Sequence, residues 1–322
     1  MESRGRLTAA LVAAILLCGA EFALAEHEAG GTKTDTTTAT VAAGAAGGAS
    51  AGTTLGATQP ASAQSPNPCS LPEVTSSPSR PNWSNSASTT QCGVVEMDSG
   101  FIAQPMGGGV GQRMAVSSIR YGLTPTLQLR WGVTGHMAQS GGTTGPLEGL
   151  GDQTAGATWR FHEQGAWMPA LAVSYAYKIP IANPAKGFGS GFADHQFLFI
   201  ASRDLGKNHF DFNTAGVITG QQHGRDGAAQ FGLALTRPIT SKLSGVLESY
   251  GGPQPDTPAR YGAMLTGASY TLCPSFVLDG AYVHAYTGGA PRSQLLFGFT
   301  YAMRPWLPWR GIRLPNFGDS SH

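Results

Sequence analysis

The sequence predicts an all-β fold, an antiparallel transmembrane β-barrel of about 12 strands, and three observations carry that prediction. Extended runs of about ten residues recur from Cys92 onward, each bounded by turn residues, and this length matches a tilted membrane crossing. Several runs alternate strictly: Leu127, Leu129, Trp131 and Val133 fall on one parity, and Gln128, Arg130 and Thr134 on the other. Short and long connections also alternate, as they do where neighbouring strands share tight turns at one rim and loops at the other.

The elements follow in order. Residues 1–25 read as a cleaved signal peptide: Arg4 and Arg6 precede an apolar stretch from Leu7 to Cys18, and Ala23-Leu24-Ala25 forms a cleavage site. Residues 26–91 are dominated by Ala, Gly, Thr, Ser and Pro and read as a mostly disordered periplasmic leader, because so few large apolar groups cannot offset the entropy of ordering. An ordered plug is the alternative that this composition disfavours. Residues 92–304 form the barrel, with runs at 93–103, 112–121, 126–137, 152–162, 170–181, 194–203, 209–220, 228–236, 242–250, 261–272, 276–286 and 293–303. Residues 305–322 form a C-terminal tail, in which Trp306 and Trp309 suit a membrane interface.

A soluble β-sandwich is the competing architecture. It needs charged outer faces, and only 12% of the chain is charged. Aromatic residues near run ends, Tyr121, Trp131, Phe161, Trp167, Tyr250, Tyr261, Tyr286, Tyr301 and Trp306, suit interfacial girdles instead. With a formal net charge of +1, nothing recommends a nucleic-acid partner, and none is expected. Cys69 and Cys92 are placed to pair in an oxidising compartment, and the cysteine spacing fits no zinc pattern.

The inward parity supplies the candidate lumen-lining residues: Arg120, Gln128, Arg130, Arg160, His162, Lys178, Asp211, Asn213, Gln230, Glu248 and Asp279. Charges inside a narrow barrel must be paired, so these residues read either as an interlocked structural network or as a ring that selects a solute. Catalysis would need a Ser/His/acid set; His136, His162, His195 and Asp211 lie on different runs, and none of the runs carries a G-x-S-x-G. His223 and Asp226 alone make a poor metal site. No catalytic residue, metal or cofactor is expected.

The blocks "SRPNWSNSAS", "GVVEMDSGF", "IRYGLTPTLQLRWG", "GLGDQTAGATWRF", "PALAVSYAYKIP" and "HFDFNTAG" resemble, in order and spacing, the outer-membrane family labelled MetA pathway of phenol degradation. The resemblance spans roughly Ser77 to Arg304. Arg80-Pro81-Asn82 keeps the Arg-Pro of the family's acidic-flanked start and loses both acids. It implies a transporter-like barrel for hydrophobic or aromatic solutes.

The expected protein is therefore an exported, non-enzymatic barrel of a Gram-negative-type outer membrane. Its expected partners are outer-membrane lipids, a small-molecule solute and the barrel-assembly machinery. A closed barrel serving structure or surface interaction is the alternative function, and an outer-membrane hydrolase the third.

Overall fold

The computed structural model describes Cys69 and residues 73–141, 145–253, 260–287 and 291–304. The expected signal peptide, most of the leader and the tail lie outside the described residues. The barrel and the segment that leads into it belong to one unit, Leu71–His322.

Thirteen strands follow in chain order: β1 (Val95–Gly107), β2 (Val110–Gly122), β3 (Leu127–Ser140), β4 (Leu147–Leu150), β5 (Gln153–His162), β6 (Ala170–Ile179), β7 (Asp194–Leu205), β8 (Asn208–Gln221), β9 (Gly224–Pro238), β10 (Leu243–Pro253), β11 (Arg260–Cys273), β12 (Phe276–Ala285) and β13 (Ser293–Met303). All of these except β4 form a closed antiparallel barrel of twelve. β2 pairs with both β1 and β3, and β1 pairs with β13 from Val95↔Met303 to Ala103↔Leu295. β4, which the sequence does not announce, pairs only with β3, inside the loop that follows it. Every expected run is a strand, and closure leaves no sheet edge open to lipid.

A closed single-layered sheet has two faces, and away from the strand ends the buried residues lie on the inner one. Leu129 and Trp131 are exposed, whereas Gln128 between β2 and β5 is buried. Phe101, Ile119, Trp159, Phe197, Phe212, Leu233, Leu247 and Phe297 extend the exposed apolar face around the barrel. An apolar band on that scale has no place in water and is what a lipid-facing surface requires. Two residues expected in the girdles, Tyr250 and Tyr261, sit instead on the inner parity, packed against a buried cluster of Val246, Ala263, Leu265, Ala281, Val283, Ala285 and Leu296.

The loop pattern differs from expectation. "QPMGGGVGQ", which its Gly content marks as one of the expected long connections, is not a long loop: β1 and β2 run on into a two-residue turn, Gly108-Gly109, with φ of +59° and +75°. Two successive positive φ values match the right-handed strand twist, so the hairpin closes tightly. "QQHGRDG" likewise shrinks to Gln222-His223 between β8 and β9. The strict long–short alternation therefore gives way to two long hairpins.

Leu129→Arg places a charge on the apolar outer face. Near the bilayer midplane it should cost about 2–4 kcal/mol, measured by equilibrium unfolding of the lipid-refolded protein. A loss below about 0.5 kcal/mol would show that this face does not meet hydrocarbon.

Candidate functional site

The candidate site is the lumen at the rim where β1 begins and β13 ends, here called the near rim. Residues 73–91, expected to belong to a disordered leader, are ordered there and run as an irregular strap along the inner wall. The composition argument fails for this stretch because it needs no core of its own. An irregular segment inside a barrel has backbone N–H groups to satisfy, and the wall supplies the acceptors.

These anchors are side chains on the inner parity. Glu96 accepts from Ser77 N, and Glu248 accepts from both Trp83 N (2.8 Å) and Ser84 N (2.6 Å). Asn213 closes on one peptide in both senses, its Oδ1 accepting from Asn85 N and its Nδ2 donating to Asn85 O, each at 2.8 Å. Ser202 Oγ accepts from Ala87 N, and Gln128 Oε1 from Thr90 N, both at 2.8 Å. The wall thus makes with side chains the ladder that a further strand would make with its backbone.

Two large strap side chains fit gaps in the wall. The Arg80 guanidinium lies over Gly100 and Gly298, which face each other across β1 and β13; a Cβ at Gly100 would sit 2.2 Å from Arg80 Nη2, and one at Gly298 2.5 Å from Arg80 Nε. Arg80 Nε is 3.4 Å from Asp279 Oδ1. Trp83 lies over Gly232 and stacks on Tyr250, with ring centroids 5.4 Å apart and planes within 2°.

Arg120, on β2 beside β1, also ties the strap to the wall. Its Nε donates to Asp98 Oδ2 at 2.8 Å, and its Nη2 donates to Ser77 O at 2.8 Å and lies 3.0 Å from Glu96 Oε2. Asp98 also accepts from Ser118 Oγ (3.1 Å), Ser79 Oγ (3.3 Å) and Thr300 Oγ1 (2.7 Å).

The sequence-derived candidates therefore separate by role. Arg120, Gln128, Asn213, Glu248 and Asp279 bind the strap directly, and Asp211 does so through Ser202, whose Oγ donates to it at 2.5 Å. Lys178 is paired with Asp194 and Asp152 towards the far rim. Arg160 donates to Pro125 O and Glu163 at the near rim. Arg130 and Gln230 face inward on the parities of Gln128 and Asn213, and neither makes a hydrogen bond or ion pair among the described residues. His162 departs from the set. The register slips between Arg160 and His162, and His162 is exposed with Nδ1 3.2 Å from Pro169 O, off the inner face. A one-residue irregularity of this kind reverses side-chain parity.

Sequence reasoning missed Glu96, Asp98 and Ser202, together with the strap residues Arg80 and Trp83. The available signal was glycine at inward parity inside strands, at Gly100, Gly232 and Gly298, where another backbone or side chain approaches closely.

A cavity of about 360 Å³ remains between the strap and the ends of β8–β12, lined mainly by hydroxyls, among them Ser79, Ser84, Ser86, Ser244, Ser269 and Thr271. One Ser/His/acid arrangement borders it: Ser86 Oγ lies 3.4 Å from His209 Nε2, and His209 Nδ1 lies 2.6 Å from Asp204 Oδ1. His209 Nε2 is also 3.0 Å from Asp211 Oδ1. A carboxylate on each nitrogen holds the ring as a donor on both sides. That imidazole has no lone pair to take a serine proton, so the arrangement is a clamp and not a nucleophile–base pair.

No protein-family model matches the sequence, and a comparison with curated proteins finds no match. Solved structures do resemble it. The COG4313 outer membrane channel from Pseudomonas putida F1 superposes with a TM-score of 0.55 at 14% identity, over 67% of this chain and 98% of that one. The chain shares the fold of an outer-membrane channel. The KdgM porin gives a TM-score of 0.44 at 6% identity, covering 64% of this chain and 98% of its own. The translocator domain of the autotransporter NalP from Neisseria meningitidis gives 0.38 at 11% identity, covering 65% and 86%.

Glu248→Ala removes the acceptor of two strap N–H groups, one buried and one part-buried, at roughly 1–3 kcal/mol for a buried group left unpaired. The strap should loosen locally while the barrel stays folded. A cysteine at Asn85 should then react with a water-soluble maleimide at least tenfold faster in the Glu248→Ala background. Equal rates would mean that Glu248 does not hold the strap.

Proposed function

We propose that this protein passes a small solute, hydrophobic or aromatic in character, across the outer membrane by passive diffusion. In this reading the signal peptide exports the chain, the near rim and both termini face the periplasm, and the far-rim loops face outward. The observation that carries the proposal is the inner surface. Beside the polar anchors, β10–β13 present an apolar inner wall with Tyr250 and Tyr261 against it, and a water-filled porin would have little use for such a wall. The resemblance to the phenol-degradation family and the shared fold with an outer-membrane channel support the same reading.

The strap favours one competing function, a closed barrel whose work is structural or lies at its loops. Its anchors cross the near-rim lumen, and a cavity lies beside them along β8–β12. The two readings diverge in a planar bilayer. A channel should give discrete conductance steps in KCl, reduced by millimolar phenol. A protein that shows a heat-modifiable gel shift, and so is folded, yet gives no steps would establish the closed barrel and rule out passage through the lumen.

A further inference from the structure

Arg130 stands apart from the other inward cations. Arg80, Arg120, Arg160, Lys178 and His209 each have a carboxylate within 4.0 Å. Arg130 has none within that distance among the described residues, and its side chain stays accessible from the lumen. Its cross-strand partner on β2 is another arginine, Arg120, a like-charged pairing that costs energy unless an anion bridges it. Glu96 and Asp98 balance the formal charge of the two arginines, but both carboxylates are turned to Arg120. Their lone pairs are further occupied by Ser77, Thr90, Ser79, Ser118 and Thr300. The guanidinium donors of Arg130 are therefore unfilled.

The wall around Arg130 is cleared of bulk. The next inward residue along β3 is Gly132, and the cross-strand partner on β5 is Gly156, which in turn faces Ala176 on β6. Thr154 leans into this clearing, its Oγ1 only 2.4 Å from where a Gly132 Cβ would be, and its hydroxyl has no partner among the described residues. A planar fork of donors, a free hydroxyl and open space beside them make a subsite for a planar oxyanion. The apolar wall of β10–β13 faces it from the other side of the barrel.

We propose that Arg130, assisted by Thr154, is the solute-binding subsite of the channel and that the solute class is a small organic carboxylate with an apolar body. The inference rests on the channel function proposed above and narrows it from hydrophobic or aromatic compounds to their acids. Arg120 acts as a positioning residue: by taking up both Glu96 and Asp98 it leaves the donors of Arg130 for the lumen.

Single-channel recordings in asymmetric KCl, with benzoate or phenol added, test the inference. The wild type should prefer chloride over potassium. Benzoate should reduce its current at concentrations at least tenfold below those needed for phenol. Arg130→Gln should abolish that difference and shift the reversal potential towards cation preference. Arg130→Lys should keep the chloride preference, because the charge remains, yet lose benzoate sensitivity about tenfold, because the fork is gone. Thr154→Val should weaken benzoate sensitivity alone, a readout that survives if Arg130→Gln fails to refold. Equal sensitivity to benzoate and phenol in a conducting wild type, or an Arg130→Gln channel with unchanged benzoate sensitivity, overturns the subsite and leaves the channel function standing. A folded wild type without conductance overturns both.

Discussion

In hydrocarbon an unpaired peptide group costs several kcal/mol, and this constraint shapes the molecule twice. Its first consequence is closure. β1 must meet β13 although about two hundred residues separate them in sequence, and the nine register pairs from Val95↔Met303 to Ala103↔Leu295 join the first strand to the last. Its second consequence is the strap. Residues 73–91 bring backbone donors into a lumen where strand edges are already used up. They can stay only because Glu96, Glu248, Asn213, Ser202 and Gln128 offer acceptors at the right positions. Polar residues on the inner parity are thus largely spoken for by the strap before any solute arrives.

That order of demand explains why burial of so many carboxylates is tolerable. Asp98 receives donors from Arg120, Ser118, Ser79 and Thr300, and Glu248 receives two strap amides and no arginine. A buried charge filled with hydrogen bonds on both oxygens loses much of its desolvation penalty, whereas removing one partner exposes the penalty in full. The wall and strap are therefore mutually dependent. The glycines at 100, 232 and 298 add steric fit, since a methyl group at any of them would collide with Arg80 or Trp83.

The barrel was legible in the sequence because its signal is periodic and repeated. Alternation in β3, β5, β6 and β9 settles their faces, and an even number of strands follows from the hairpin pattern. The strap was not legible on the same terms. Its stabilisation comes from partners up to 217 residues away, as between Arg80 and Phe297, and no local composition records them. Two traces were nevertheless present. Arg80 and Trp83 are the large side chains in an otherwise small-residue stretch, and Ser79–Ser88 is itself one of the blocks that carry the family resemblance. His162 failed for a local reason: a slip at the end of β5 turns it outward, and nothing in the alternation of Trp159, Arg160 and Phe161 announces where that slip falls.

The strap also changes what the inner charges can mean for transport. A charge that is saturated by its own protein contributes little to a passing solute, because any new contact must first displace an existing one. Asp98, Glu248 and Arg120 are in that position and read as structure. Selectivity must then come from groups left unfilled, and the cross-strand pair Arg120–Arg130 shows how a barrel can produce one. One arginine takes both carboxylates, Glu96 and Asp98, and the other keeps its donors for the lumen. With Gly132 and Gly156 beside it in place of larger side chains, Arg130 is reachable where a saturated charge would not be. The residues most buried in the lumen and the residue best placed to meet a solute are different members of one charged cluster.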